Sequence, residues 1–254
     1  MKHSFLNRVL FLSVFALLAS GCVVSGDVWK ATKDEDQISS SNAIYQSLNI
    51  NYQADTDQLS VLAQFRNGGA YQESIELSNG VSVMVDAQPL TFNYVSPHSG
   101  ATTGSYYTKT MAHPWDLSRA YEFSWQTMQG QMYRNRVRLP SRFGVSASIQ
   151  TIHRADAYLM VSYVGADLGA GESVTLDITG DYGTTLRAAT FTPFSRTIAI
   201  DLSRILDPSH RYDSSVIKIA PSKRLTGSLS DSTLAGGEFT TTYQAETLTV
   251  YVQP

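Results

Sequence analysis

Few residues in this sequence are placed to do covalent or metal chemistry. Ser215-Val-Ile-Lys218 has the spacing that sets a nucleophile and a base one helical turn apart. Its context, SSVIKIAP, alternates instead as a strand ending at Pro221, and on a strand residues three apart face opposite ways. There is no G-x-S-x-G and no H-E-x-x-H. His98 and His113 fall in one polar stretch, but zinc needs a third or fourth ligand that the sequence does not name. Asp34-Glu35-Asp36 does not fit a calcium loop and reads as solvated linker charge. No cofactor is expected, and the chain reads as a non-enzyme.

Two stretches suit recognition better. In YRNRVRLP, alternation sends Arg134, Arg136 and Arg138 to one face and Tyr133, Val137 and Leu139 to the other. Three guanidinium groups in a row could hold phosphate or carboxylate groups; equally, they could be the charges that keep an edge strand from pairing with a neighbour. The second stretch, VSPHSGATTGSYYTKTMAHP, is rich in Ser, Gly, Thr and Tyr. With Tyr106, Tyr107, Lys109, His113 and Trp115 near its end, it has the composition of adaptable binding loops. A tolerated insertion with no partner is the plainer alternative.

The first 21 residues have a basic start, an apolar stretch around Val9–Leu18 and small residues before Cys22, the layout of a secretory signal. Leu18-Ala19-Ser20-Gly21-Cys22 resembles the lipobox of bacterial lipoproteins. The resemblance covers the leader and cleavage site, and implies that Cys22 becomes an acylated N-terminus held in a bilayer. Cys22 is the only cysteine, so no intramolecular disulfide can form in a compartment that permits them. Val23, where an aspartate would favour inner-membrane retention, implies the outer membrane. A net charge of −3 offers no basic face for nucleic acid.

Tyr, Thr, Ser and Val outweigh helix formers, which predicts an all-β protein. Residues 22–41 contain KATKDEDQISSS, without a period of 2 or 3.6, and read as a tether. Alternating runs follow: Leu59, Val61, Ala63 and Phe65; Val81, Val83 and Val85; Tyr121, Phe123 and Trp125; Leu159, Val161 and Tyr163; Val174, Leu176 and Ile178; Ile198, Ile200 and Leu202; Leu248, Val250 and Val252. Many short strands at this spacing indicate a sandwich or barrel.

The chain also resembles itself. At an offset of 99, Ile50 meets Ile149, Asp57 meets Asp156, Leu62 meets Val161, Glu73-Ser74 meets Glu172-Ser173, and Thr91-Phe92 meets Thr190-Phe191. DLSR at Asp116–Arg119 recurs at Asp201–Arg204, 85 residues on, so the first copy carries 14 extra residues inside the polar stretch. In each DLSR the leucine is expected to enter the core while Asp and Ser turn the chain. Two units of this length resemble the tandem immunoglobulin-like or fibronectin-type sandwiches of bacterial surface lipoproteins, though without paired cysteines. The expected plan is a signal at 1–21, a tether at 22–41, one sandwich at 42–140 with an inserted loop about 95–114, and a second at 141–254. The function expected is recognition of a protein or envelope polysaccharide. A structural spacer is the alternative, and a glycan-acting enzyme ranks below both.

Overall fold

In a computed structural model of the chain, the described residues are 33–34, 43–77, 81–95, 104–112, 119–180, 183, 185–188, 191, 195–210 and 212–254. Among them there is no α-helix. The strands are β1 (Lys33–Asp34), β2 (Ile44–Gln53), β3 (Gln58–Asn67), β4 (Ile75–Glu76), β5 (Val83–Val85), β6 (Gln88–Pro89), β7 (Thr91–Val95), β8 (Gly104–Ala112), β9 (Ala120–Gln126) and β10 (Met132–Arg138). Beyond them lie β11 (Phe143–Ala147), β12 (Thr151–His153), β13 (Tyr158–Gly165), β14 (Glu172–Thr179), β15 (Thr185–Ala188), β16 (Thr197–Asp201), β17 (Ser215–Ser228), β18 (Gly237–Gln244) and β19 (Leu248–Gln253). The protein is all-β, and its alternating runs fold as alternation requires: Tyr121, Phe123 and Trp125 are buried, as are Leu159, Val161 and Tyr163.

In the first half, β2-β3-β8-β7 form one sheet and β10-β9-β5-β6 another. They pack face to face, with the Phe65 ring 4.8 Å from that of Trp125 and Trp125 stacked on Tyr133 at 5.0 Å. The second half repeats the pairing order. There β11-β13-β16 corresponds to β2-β3-β8, and β19-β17-β14-β15 corresponds to β10-β9-β5-β6. Between β11 and β12 the chain leaves one sheet for the other, since β11 pairs with β13 and β12 with β19.

The offset of 99 suits β4 with the Leu77 that follows it and β14, since Ile75, Leu77, Val174 and Leu176 are all buried. It fails for β3 and β13. Val161 is buried while Leu62 lies on the outer face, and the inward sets match at an offset of 98, Phe65 with Tyr163 and Val61 with Leu159. A one-residue slip exchanges the two faces of a strand, so the sequence match was out of phase there.

The halves are not separate sheets. β18 pairs with β2 in a parallel ladder from Gly237↔Gln46 to Gln244↔Gln53, so one sheet runs across the expected boundary. β17, read from sequence as ending at Pro221, continues to Ser228. Pro221 sits where the partner on one edge changes from β19 to β18, and its carbonyl accepts the N–H of Ala245. A residue's N and C=O share an edge, so the missing donor faces the gap between two ladders and costs no strand pair.

Ser141, at the expected boundary between the two halves, is held by a buried ion pair. The Lys223 side chain has 0% exposure, and its ammonium lies 2.9 Å from Glu172, 2.6 Å from the Ser141 hydroxyl and 3.2 Å from the Tyr163 hydroxyl. Burial pushes the Glu172 carboxyl up, but the Gly169 N–H, the Lys223 ammonium and the Ser141 N–H together bring it below the usual range. Part of the expected tether is also structured, with Lys33–Asp34 pairing in parallel with Ile75–Glu76.

Candidate functional site

Within the stretch read as an inserted loop about 95–114, the described residues Gly104–Ala112 form a strand. β8 pairs with β3 along one edge and β7 along the other. Tyr107, expected to contact a partner, is 6% exposed; its ring lies 5.7 Å from Phe65 and its hydroxyl accepts the Leu77 N–H at 2.9 Å. It is a core residue. Ser105, Tyr107 and Met111 are buried in alternation, a period-2 signal that the Ser/Thr/Tyr composition obscured. Tyr106 and Lys109 are half-buried, and the Lys109 ammonium donates to the Pro89 carbonyl at 3.4 Å. His98, His113, Trp115 and Cys22 lie outside the described residues, as do the first three residues of the first DLSR. The second DLSR acts as a turn, with Asp201 capping a 3-10 turn (Leu202–Arg204) by accepting the Ser203 N–H at 3.0 Å, and Leu202 entering the core.

The arginine row is displayed. Arg134, Arg136 and Arg138 are exposed on β10, while Tyr133, Asn135 and Val137 point inward. On a strand this sets the guanidinium roots about 7 Å apart in a line. Glu122, on neighbouring β9, lies 3.3 Å from Arg134 and 3.8 Å from Arg136. Arg138 has no ion-pair partner among the described residues, so the row keeps an excess of positive charge.

β10 is the edge of its four-stranded sheet, and that edge is met at two points by β18 and the loop before it. Asp231 accepts the Arg134 N–H at 2.6 Å, and the Asn135 amide donates to the Asp231 carbonyl at 2.7 Å while accepting its N–H at 2.9 Å. Thr241 donates to the Arg138 carbonyl at 2.8 Å. These two contacts already obstruct a further strand at both ends of the edge.

Sequence reasoning missed a second feature. On the outer face of β17, β18 and β2, a depression of about 510 Å³ is lined by Tyr45, Thr226, Gly227, Ser228, Leu229, Ser232, Gly236, Gly237 and Glu238. Burial and hydrogen bonding to Glu238 push the Tyr45 phenol up to about 12. The residues come from segments nearly 200 apart, and only the β18–β2 pairing unites them.

Among the described residues no group of three metal-ligating side chains occurs, and no helix is long and apolar enough to cross a membrane. No family model matches the chain, and no curated protein does. Among solved structures it is similar to a tetra-tandem repeat from the extending region of a large adhesion protein, at 11% identity and TM-score 0.25, over 82% of this chain and 49% of that one. It is similar also to dimeric latent PorU from Porphyromonas gingivalis, at 9% identity and TM-score 0.25, over 82% of this chain and 21% of that one.

Proposed function

We propose that the protein is a non-enzymatic outer-membrane lipoprotein, anchored through acylated Cys22, whose two immunoglobulin-like sandwiches recognise an acidic envelope protein or polysaccharide. The repeated pairing order and the sheet switch between β11 and β12 support the sandwich reading. The observation that carries recognition is the arginine row: three exposed guanidinium groups in line, one carboxylate between them, on a strand whose edge is met by Asp231 and Thr241. Guanidinium groups bind carboxylate and phosphate in a fixed fork geometry, and a line of them suits a partner with repeated acidic groups.

The test is photo-crosslinking in living cells from a probe replacing Arg136. A single abundant adduct, lost in the Arg134→Gln/Arg138→Gln background, supports the reading; correct localisation with no adduct refutes it. In the same cells, Cys22→Ser is expected to move the protein out of the membrane fraction. The second reading, a stiff spacer, is favoured by the sheet that runs unbroken through the β18–β2 ladder and by the ion pair that fixes Ser141 at the junction.

A further inference from the structure

We infer that the end of the first sandwich at which β2 begins lies against the lipid bilayer, with Tyr71, Tyr94, Met128 and Leu234 set into its headgroup layer. The inference rests on the anchoring of Cys22 proposed above, and adds to it which end of the fold meets the membrane.

The strand pairings bring these four side chains to one end. β2 begins at Ile44, opposite Asn67 at the end of β3, and β18 begins beside it, with Gly237 against Gln46. The loop after β3 carries Tyr71 and the loop before β18 carries Leu234. Both loops are tied to the first residues of the sandwich: the Gly68 N–H donates to the Ala43 carbonyl at 2.5 Å, and the Thr233 hydroxyl to the Ile44 carbonyl at 2.6 Å. Tyr94 stands at the same end, because β7 sets Val95 against Gly104, the first residue of β8, and β8 runs antiparallel to β3. In the facing sheet Trp125, near the end of β9, packs on Phe65, near the end of β3, so the turn from β9 to β10 that carries Met128 is there too.

Tyr71 at 94% and Leu234 at 89% are the two most exposed large hydrophobic side chains among the described residues. Between Ala43 and Leu139 the described residues hold four of this kind, and only Phe92 stands mid-strand, away from the tips. The opposite end of the same sandwich is built from charge: its turns hold Asp55, Asp57 and Asp86, with Arg119 paired to Asp86. A single exposed apolar residue needs no explanation, but a set gathered on separate loops at one end marks a contact surface.

The course of the chain decides what that surface meets. The segment leading back to Cys22 joins the fold here, at Ala43 and again through Lys33 and Asp34, which pair with Ile75 and Glu76 just beyond the Tyr71 loop. Lys33 follows Cys22 by 11 residues, a reach of at most about 40 Å. An acylated Cys22 therefore keeps this end near the bilayer, while the turn after β2 lies a strand of 10 residues further off, about 33 Å. The side chains suit that place. Tyrosine joins an apolar ring to a polar tip and gathers at membrane interfaces, and leucine and methionine gain by leaving water. Tyr45, second in β2, feels Arg66, Glu238 and Tyr71 together, so the charges beside the tips are of both signs and no anionic lipid is called for.

The experiment reconstitutes the full-length lipoprotein into phosphatidylcholine vesicles and reads an environment-sensitive fluorophore on Tyr71→Cys, Leu234→Cys or Thr56→Cys, the last in the exposed turn at the far end. Acylated Cys22 offers no thiol, so the parent chain sets the background. Flotation with the vesicles, lost in Cys22→Ser, establishes the anchor. The labels at Tyr71 and Leu234 are then expected to shift to the blue, and to be quenched several-fold more than the label at Thr56 by lipids spin-labelled near the headgroup. In a Tyr71→Ser/Leu234→Ser background, the quenching of a label on Met128→Cys should fall several-fold; thermal unfolding checks that these exposed substitutions leave the fold intact. Labels at Tyr71 and Leu234 no more quenched than that at Thr56, in a chain that floats, overturn the inference, leave the anchor standing and free these tips for a protein partner. A chain that does not float overturns the anchor and the inference with it.

Discussion

Removing the Glu172 carboxylate leaves the Lys223 ammonium in a place with no solvent, and the cost follows from that asymmetry. Lys223 is 0% exposed, whereas Glu172 retains 11% and also accepts the Gly169 N–H at 2.9 Å. Breaking a buried pair by deleting one partner costs about 3–5 kcal/mol, against a total stability of about 5–15 kcal/mol for a typical protein. Glu172→Gln should therefore fall in that range, and Lys223→Met below it at about 1–2 kcal/mol, because the remaining carboxylate keeps a backbone donor and some water. For a chain of this size each kcal/mol moves the melting temperature by about 2–4 °C. The double variant Lys223→Met/Glu172→Met should recover most of the loss, since replacing both charges with packed apolar groups is often neutral. Urea unfolding of the four proteins at pH 7 measures these differences. Acid gives a second check. The Glu172 carboxyl is held below its ordinary value, so its contribution is full above that value and is lost as pH falls through the lower folded one. Glu172→Gln should flatten that part of the profile. Equal costs for the two single variants, or a cost under about 1 kcal/mol for Glu172→Gln, would refute the reasoning, because a solvated pair is worth about that little.

Two further outcomes are expected. The Tyr52 phenol, 5% exposed and donating to Asp57 at 2.7 Å, is pushed up to about 12 by burial and that bond. A raised value means the folded state holds its proton longer, so the contribution is intact below pH 10 and is lost between 10 and 12; alkaline unfolding of Tyr52→Phe should show a shallower decline over that interval. Asp86 and Ala87 both have positive φ, 49° and 59°, in the two-residue turn joining β5 to β6. Ala87→Gly relieves a left-handed alanine, worth about 1–2 kcal/mol, at a smaller loss of chain stiffness, so a net gain of roughly 0.5–1 kcal/mol is expected in urea unfolding; destabilisation would show the turn to be unstrained.

What the sequence disclosed was whatever has a local period. Tyr121, Phe123 and Trp125 could be assigned to one buried face because every second side chain of a strand shares a side. The displayed arginine row follows from the same rule applied to polar residues. Composition misled where it competed with period: the hydroxyls of SYYTKTMA suggested a loop, although Ser105, Tyr107 and Met111 alternate inward. Proline misled at Pro221, because a strand with two successive partners along one edge leaves a position where no donor is needed. Lys223 escaped notice for the same reason, since a strand cut at Pro221 lacks the parity with Ile217 and Ile219 that places it in the core.

The β18–β2 ladder left no trace in the sequence, because pairing between segments nearly 200 residues apart has no local period and parallel partners need no turn between them. Yet that ladder decides what each candidate surface is. The hairpin of β17 and β18 belongs to the second half by its pairing with β14, and it supplies the first half with a neighbour for β2 and, through Asp231 and Thr241, a cover for the edge of β10. Tyr45 thereby meets Glu238 and Thr226, and the strand that carries the arginine row is fastened at two points along its edge. Both surfaces are thus joint products of the two halves, and a site search confined to either half finds only part of the depression.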